Sequence, residues 1–339
     1  MDVPTIRSKI ITAILPLIAV IFILLSLCIG RYPVSLSEVI SDLWKGFVDL
    51  KITLANTTQV VIWEIRLPRA VLGGLVGGAL GVSGAALQGL FKNPLVSPGI
   101  LGVSSGSGFG AALAILLFNS TSAAYPFALG FGILAVFLSY LIGRIYQTAP
   151  NIMLVLGGVI VSSVFSALIS FAKYVADPYE QLPSIVFWMM GSLATAGYRD
   201  ILLAGPLILI GAAGLYGVRW KINVLSMGDK EARTLGVDTR LTKGIVVFSA
   251  TLATAGAVCV SGVIGWIGLI IPHIGRMVVG SDNRILIPVS FFLGACFLIL
   301  VDTLARILTG SEIPLGILTA LVGGPFFVYL LKKTKARGW

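Results

Sequence analysis

Long apolar runs separated by short polar stretches divide the chain. They cover residues 10–29, 70–91, 99–118, 123–146, 152–175, 200–218, 244–265, 270–280, 285–307 and 313–331. A membrane-spanning helix takes about 20 apolar residues, so the pattern predicts about ten transmembrane helices. Residues 270–280 are short and hold Pro272, which predicts a half-helix continuing from an irregular stretch. Residues 183–197 are apolar but also short, and predict a re-entrant or interfacial helix. Residues 30–65 form an amphiphilic segment with Glu38, Asp42, Lys45, Asp49 and Lys51, and with Trp44 and Trp63 as interface anchors. After residue 65 the longest polar stretch is 219–243.

Composition supports this. Charged residues make up 11% of the 339 positions and apolar ones 57%, whereas soluble domains carry about 25% charged residues. A water-soluble globular chain is excluded, and 40 glycines without a triplet period exclude collagen. The net charge of +10 would suggest nucleic acid in a soluble protein. Here cytoplasmic Lys and Arg that fix orientation are the simpler account, with membrane lipid and no nucleic acid as the surroundings. Cys28, Cys259 and Cys296 are too scattered for a disulfide framework, and a single histidine leaves no metal site.

Arg7 and Lys9 precede the first apolar run, which is long enough to span and lacks a following small-residue cleavage site. We read it as an uncleaved first helix entering from the cytoplasm. Ten crossings then place both termini in the cytoplasm. The 24 Lys and Arg divide 16 inside to 8 outside, in line with the positive-inside rule. The expected organisation is one transmembrane domain over 1–339: first helix 10–29, external segment 30–65, helices two to six over 66–218, a cytoplasmic segment 219–243, and helices seven to ten over 244–331.

An offset of 178 residues aligns Gly78, Ala79, Val82, Ser83, Gly84 and Pro94 with Gly256, Ala257, Val260, Ser261, Gly262 and Pro272. Five spans separate the copies, so they face opposite ways, as in inverted-repeat transporters. Both copies end in a proline-bearing break. Small-xxx-small pairs such as Gly74/Gly78, Gly77/Gly81 and Gly106/Gly110 predict close helix packing.

Few residues carry chemistry. Gly81-Val82-Ser83-Gly84 with His273 fits an intramembrane serine protease only if serine and base meet in space, and Ser83 recurs at Ser261 as a small packing residue. Asp302 lies in an apolar run and is a functional candidate for that reason. No G-x-x-x-x-G-K-[ST] occurs, so the chain has no P-loop of its own. Gly228 to Val237 reads as a short polar helix closed by Gly236, either a solvated loop or a docking helix for a cytoplasmic partner. Arg66 and Arg69 at the outer end of the second helix, with Arg306 at the outer end of the ninth, read as interfacial snorkelling or as a positive rim for carboxylates of an external protein.

In order and combination, several segments resemble the permeases of metal-chelate ABC importers, which carry ferric siderophores, haem and cobalamin. The matching pieces are Arg66-Leu67-Pro68-Arg69, Ser83 to Gln88, Asn93-Pro94-Leu95, Trp188 to Gly191, Gly228 to Gly236, Gly265 to Arg276, Asp302 with Arg306, and Glu312 to Gly316. The resemblance implies an all-α polytopic fold, a homodimer with the pathway on its two-fold axis, two P-loop ATPase subunits below and one substrate-binding protein above. It implies a prokaryotic plasma membrane, no cofactor bound by this chain, and ATP with Mg used by the partner ATPase. By motif, Gly228, Glu231, Ala232, Arg233, Leu235 and Gly236 correspond to the ATPase-coupling helix. Arg66, Arg69 and Arg306 correspond to binding-protein docking arginines. Asn93, Pro94 and Leu95 correspond to a cytoplasmic gate, with Asn151 at a second gate. His273 corresponds to a structural position. The expected cargo is a ferric siderophore, with haem second. A secondary transporter without ATPase is the alternative.

Overall fold

The structure, a computed structural model, describes residues 6–48, 56–143 and 151–335. These residues form helices and connecting loops with no strand. In chain order the helices are α1 (Ile6–Cys28), α2 (Leu36–Val48), α3 (Thr57–Phe91), α4 (Val103–Phe118), α5 (Thr121–Gly143), α6 (Asn151–Val175), α7 (Gln181–Met190), α8 (Tyr198–Met227), α9 (Asp229–Thr234), α10 (Thr239–Ser261), α11 (Ile267–Val279), α12 (Asn283–Leu308) and α13 (Leu315–Lys335). A 3₁₀ turn, Pro98–Leu101, precedes α4. Helices α1, α3, α5, α6, α8, α10 and α12 are long and apolar enough to cross a membrane, while α4, α7, α11 and Leu315–Tyr329 of α13 are apolar but shorter. Together with α4, α11 and α13, the seven long helices cover the ten apolar runs, and α7 is the short helix expected at 183–197.

Helix α3 is the central pillar. Nearly every residue from Pro68 to Leu90 is buried, against α12, α8, α10 and α11. The glycine stripe explains how. A Cβ at Gly77 would run into the Gly294 carbonyl of α12, and one at Gly294 into the Gly77 carbonyl. Helices in lipid associate through such close backbone approach, since lipid tails remove the hydrophobic drive between them. Gly106 and Gly110 bring α4 equally close to the Phe131 and Phe127 carbonyls of α5.

The two repeat segments pack on each other in opposite directions. Ser83 of α3 donates to the Ala250 carbonyl of α10 at 3.3 Å. Leu90 and Val246 share one apolar cluster, and Leu72 and Ala257 share another nearer the opposite end. The chain breaks differ from expectation. Pro94 follows the end of α3, but the second copy breaks at Gly262–Trp266, where Gly262 and Trp266 have φ of 67° and 69°, and Pro272 sits inside α11. Pro272 lacks the N–H that would reach the Gly268 carbonyl, and that carbonyl accepts from Gln88 Nε2 at 3.1 Å instead.

The 30–65 segment is partly helical. It contains α2, and α3 begins at Thr57, well before residue 66. Residues Val61–Arg66 are π-helical. Such a stretch leaves a carbonyl free, and the Trp63 carbonyl accepts from the Tyr198 hydroxyl at 2.6 Å. Helix α8 extends to Met227, so Arg219 and Lys221 lie on a helix and not in a loop.

Candidate functional site

The functional candidates gather at the two ends of the bundle. At one end, Arg66, Arg69 and Arg306 come together as the sequence reading required, but they are not an exposed rim: they are 4%, 4% and 7% exposed. Arg66 donates from Nη1 to the Leu27 and Cys28 carbonyls at 2.6 and 3.2 Å, and from Nη2 to the Tyr32 carbonyl at 2.5 Å. It thereby satisfies the open carbonyls at the C-terminus of α1, where a cation also suits the helix dipole. Arg69 reaches both Asp302 carboxylate oxygens from Nε, at 3.0 and 2.9 Å, and one of them from Nη2 at 2.8 Å. Its Nη1 donates to Glu312 at 3.0 Å. Arg306 Nη2 donates to the Ser26 hydroxyl at 2.7 Å, while its Nε stays 3.5 Å from Asp302 without a hydrogen bond. Asp302 is therefore the counter-ion of the cluster. Buried guanidinium groups need such partners, so the interior of this end is closed by charge pairing. The exposed groups are Arg31, which donates to the Thr309 carbonyl at 2.8 Å, and the partly exposed Glu312.

At the opposite end, Gly228 to Gly236 forms a compact unit. Gly228 has φ 145° and opens α9; the Gly236 N–H donates to the Arg233 carbonyl and the Val237 N–H to the Ala232 carbonyl, both at 3.0 Å. With Gly236 at φ 77° this is a Schellman closure. The helix is anchored by buried Ala232 and Val237 and by Lys243, whose Nζ lies 2.6 Å from Asp229. Glu231 and Arg233 are exposed, and Leu235 is 56% exposed. Met227 and Leu241 are exposed at the same end.

The loop after α3 lies at this end too. Lys92 caps α3 with φ 53°. Asn93 Oδ1 accepts from the Leu95 N–H at 2.9 Å, a tight Asx turn that leaves Leu95 exposed. Asn151 is the first residue of α6. Residues 144–150, which precede it, lie outside the described residues.

Sequence reasoning assigned no role to Gln88, which organises this region. Its Nε2 donates to the Val96 and Gly268 carbonyls, both at 3.1 Å, and its Oε1 accepts from Arg276 Nη2 at 2.5 Å. One amide ties the loop after α3 to the start and the last turn of α11. The signal was present: a glutamine in an apolar, buried helix has to find partners. Ser83 is fully buried with its hydroxyl donated to a carbonyl, so the protease reading has no exposed nucleophile. Among the described residues no cluster of three or more His, Cys, Asp or Glu side chains could hold a metal.

Also at the α9 end, at Asp282, the N-cap of α12, burial raises the carboxyl pKa, but bonds from Arg284 and Asn223 outweigh it and hold it below the usual range. Asn223 Nδ2 donates to Asp282 at 2.6 Å and its Oδ1 accepts from the Asn283 N–H at 2.8 Å, which fixes α8 to the start of α12.

Known proteins resemble the chain throughout its length. The FecCD transport family profile matches residues 18–333. The molybdate import system permease of Haemophilus influenzae is 42% identical over 96% of each chain. The cobalamin import permease of Halobacterium salinarum is 42% identical over 85% of this chain and 78% of its own. The hemin transport permease of Yersinia pestis is 39% identical over 84% and 86%. Among solved structures, a metal-chelate type ABC transporter in an inward-facing conformation aligns with TM-score 0.85 at 40% identity, covering 96% of this chain and 99% of the other. The fold is thus shared over 96% of the chain, and the chain belongs to the FecCD transport family as the membrane permease of a metal-chelate-type ABC importer.

Proposed function

We propose that two copies of this chain form a pathway on their shared two-fold axis, with two P-loop ATPase subunits at the α9 end and one substrate-binding protein at the Arg69 end. The observation that carries this reading is α9: a short helix held by Ala232, Val237 and Lys243 while Leu235 and Arg233 face outward. Such an element transmits a push from a partner into α8 and α10, which it joins. ATP closes the ATPase pair, α9 moves with it, and the gates at Asn93-Pro94-Leu95 and Asn151 exchange. This chain supplies no hydrolysis; the energy enters through the partner, and the two states differ in affinity for that partner. Both termini then lie in the cytoplasm of a prokaryotic plasma membrane.

Docking at the Arg69 end takes a modified form. Because main-chain carbonyls hold Arg66, Asp302 and Glu312 hold Arg69, and Ser26 holds Arg306, these arginines shape the docking surface from beneath. A binding-protein carboxylate reaches Arg69 only by displacing the partly exposed Glu312.

The cargo we assign is an iron chelate, a ferric siderophore first and haem second; relatives named as iron chelatin and hemin permeases support it. A molybdate-type oxyanion is the second reading, favoured by the Haemophilus influenzae relative. The test is purification from the native host in mild detergent followed by intact-complex mass. Two copies with two P-loop ATPases support the importer, and repeated isolation without an ATPase overturns it in favour of a secondary transporter. The cargo is then read from what the cognate binding protein retains: ferric siderophore, haem or molybdate.

A further inference from the structure

A cavity of about 330 Å³ opens at the α9 end, between the end of α3, the end of α11 and the start of α12. Lys92 and Arg276 line it, with Ser226, Ser281 and Asn283. Among the described residues no carboxylate lines it. The nearest acid in sequence, Asp282, has both oxygens occupied by Arg284 and by Asn223. Gln88 at its edge turns Oε1 to Arg276 and so holds that guanidinium against the cavity.

Asn283 supplies a second, independent observation. It is 5% exposed, yet its side-chain amide makes no hydrogen bond among the described residues, while its main-chain N–H is bonded to Asn223. Its polar atoms are not sealed from solvent, so the amide is open to a ligand or water in the cavity it lines. Lys92 Nζ and the Ser281 hydroxyl are likewise without partners among the described residues, and both are exposed to the cavity mouth. Two cations, an open amide and a hydroxyl line one cavity.

We propose that this cavity is an anion site for a phosphate-type oxyanion, free or as a lipid headgroup. The geometry gives the ligand a consequence. Lys92 belongs to the loop after α3, whereas Arg276 and Asn283 belong to α11 and α12. An anion held between them clamps that loop to the bundle and restrains Asn93-Pro94-Leu95. The clamp rests on the gate reading above; the binding itself does not.

The experiment titrates inorganic phosphate calorimetrically into the complete transporter in phosphatidylcholine nanodiscs, with the ATPase nucleotide sites filled by ADP. Wild type is expected to show one saturable site per permease chain. Lys92→Gln, at an exposed position that does not threaten the fold, is expected to weaken it about tenfold, and Arg240→Gln, an exposed cation at the same end outside the cavity, to leave it unchanged. No saturable site, or equal weakening by Arg240→Gln, overturns the proposal and leaves the importer reading to its own mass measurement. Repeating the titration in phosphatidylglycerol nanodiscs separates the sources. Phosphate displaced by that lipid, with the lipid retained by wild type but not by Lys92→Gln, identifies a headgroup; unaffected binding identifies the free anion.

Discussion

Arg69 and Asp302 stand 233 positions apart in sequence and meet through three hydrogen bonds, from Nε to both carboxylate oxygens and from Nη2 to one. Both side chains are almost wholly buried, and the pair locks α3 to α12. Removing the Asp302 charge leaves Arg69 with only the partly exposed Glu312 and takes the nearby carboxylate from Arg306; breaking such a buried pair typically costs about 3–5 kcal/mol. Asp302→Asn is therefore expected to lower the thermal unfolding midpoint of the detergent-purified protein severely. The double replacement Arg69→Met with Asp302→Leu should recover part of that loss, because an apolar pair removes the desolvation penalty. An Asp302→Asn protein as stable as wild type would show that the cluster carries no structural load.

The α3–α12 crossing rests on backbone contact at Gly77 and Gly294. Gly77→Leu should separate the helices and cost about 3 kcal/mol, seen as loss of folded material on size-exclusion chromatography. Gly217→Leu on α8, where a Cβ meets nothing within 4 Å, is the matched control and should be tolerated.

Leu235 should contribute to ATPase association. Burying an exposed leucine at an interface is worth about 1.5 kcal/mol or more, so Leu235→Ser is expected to weaken ATPase binding about tenfold with the bundle intact. Gly236→Val should act similarly, because φ 77° disfavours a β-branched residue. Co-purification at graded detergent-washed salt concentrations measures both; a fully coupled Leu235→Ser transporter would remove α9 from the mechanism.

Asp282 gives the α9 end an acid-sensitive joint. Its native pKa is depressed, so its contribution is fully present above the unfolded carboxylate value of about 3.9 and is lost as pH falls through the native value. Asp282→Asn should lower stability at neutral pH and flatten the acid limb of the thermal midpoint below about pH 4. An unchanged acid limb would mean that other carboxylates set it.

Much of this molecule was legible in one dimension. The ten apolar runs became helices because about 20 apolar residues can satisfy their backbone in lipid only as a helix. Gly236 marked the end of α9 because a left-handed closure prefers glycine. The glycine pairs announced close packing, and the antiparallel repeat followed from an odd number of spans. Partner choice was not legible in the same way. Arg66, Arg69 and Arg306 sit near polar segments and read as a surface rim, yet the fold draws Asp302, Ser26 and the end of α1 around them and buries all three. The start of α3 at Thr57 depended on a π-helical stretch whose freed carbonyl meets Tyr198. Gln88 acquired its role only when Val96, Gly268 and Arg276 converged on one amide. Local composition decides whether a segment is a helix and where it stops, since those costs are met within a few residues. Which charge is buried, and against what, is decided by contacts between positions hundreds of residues apart, and only the packed bundle brings them together.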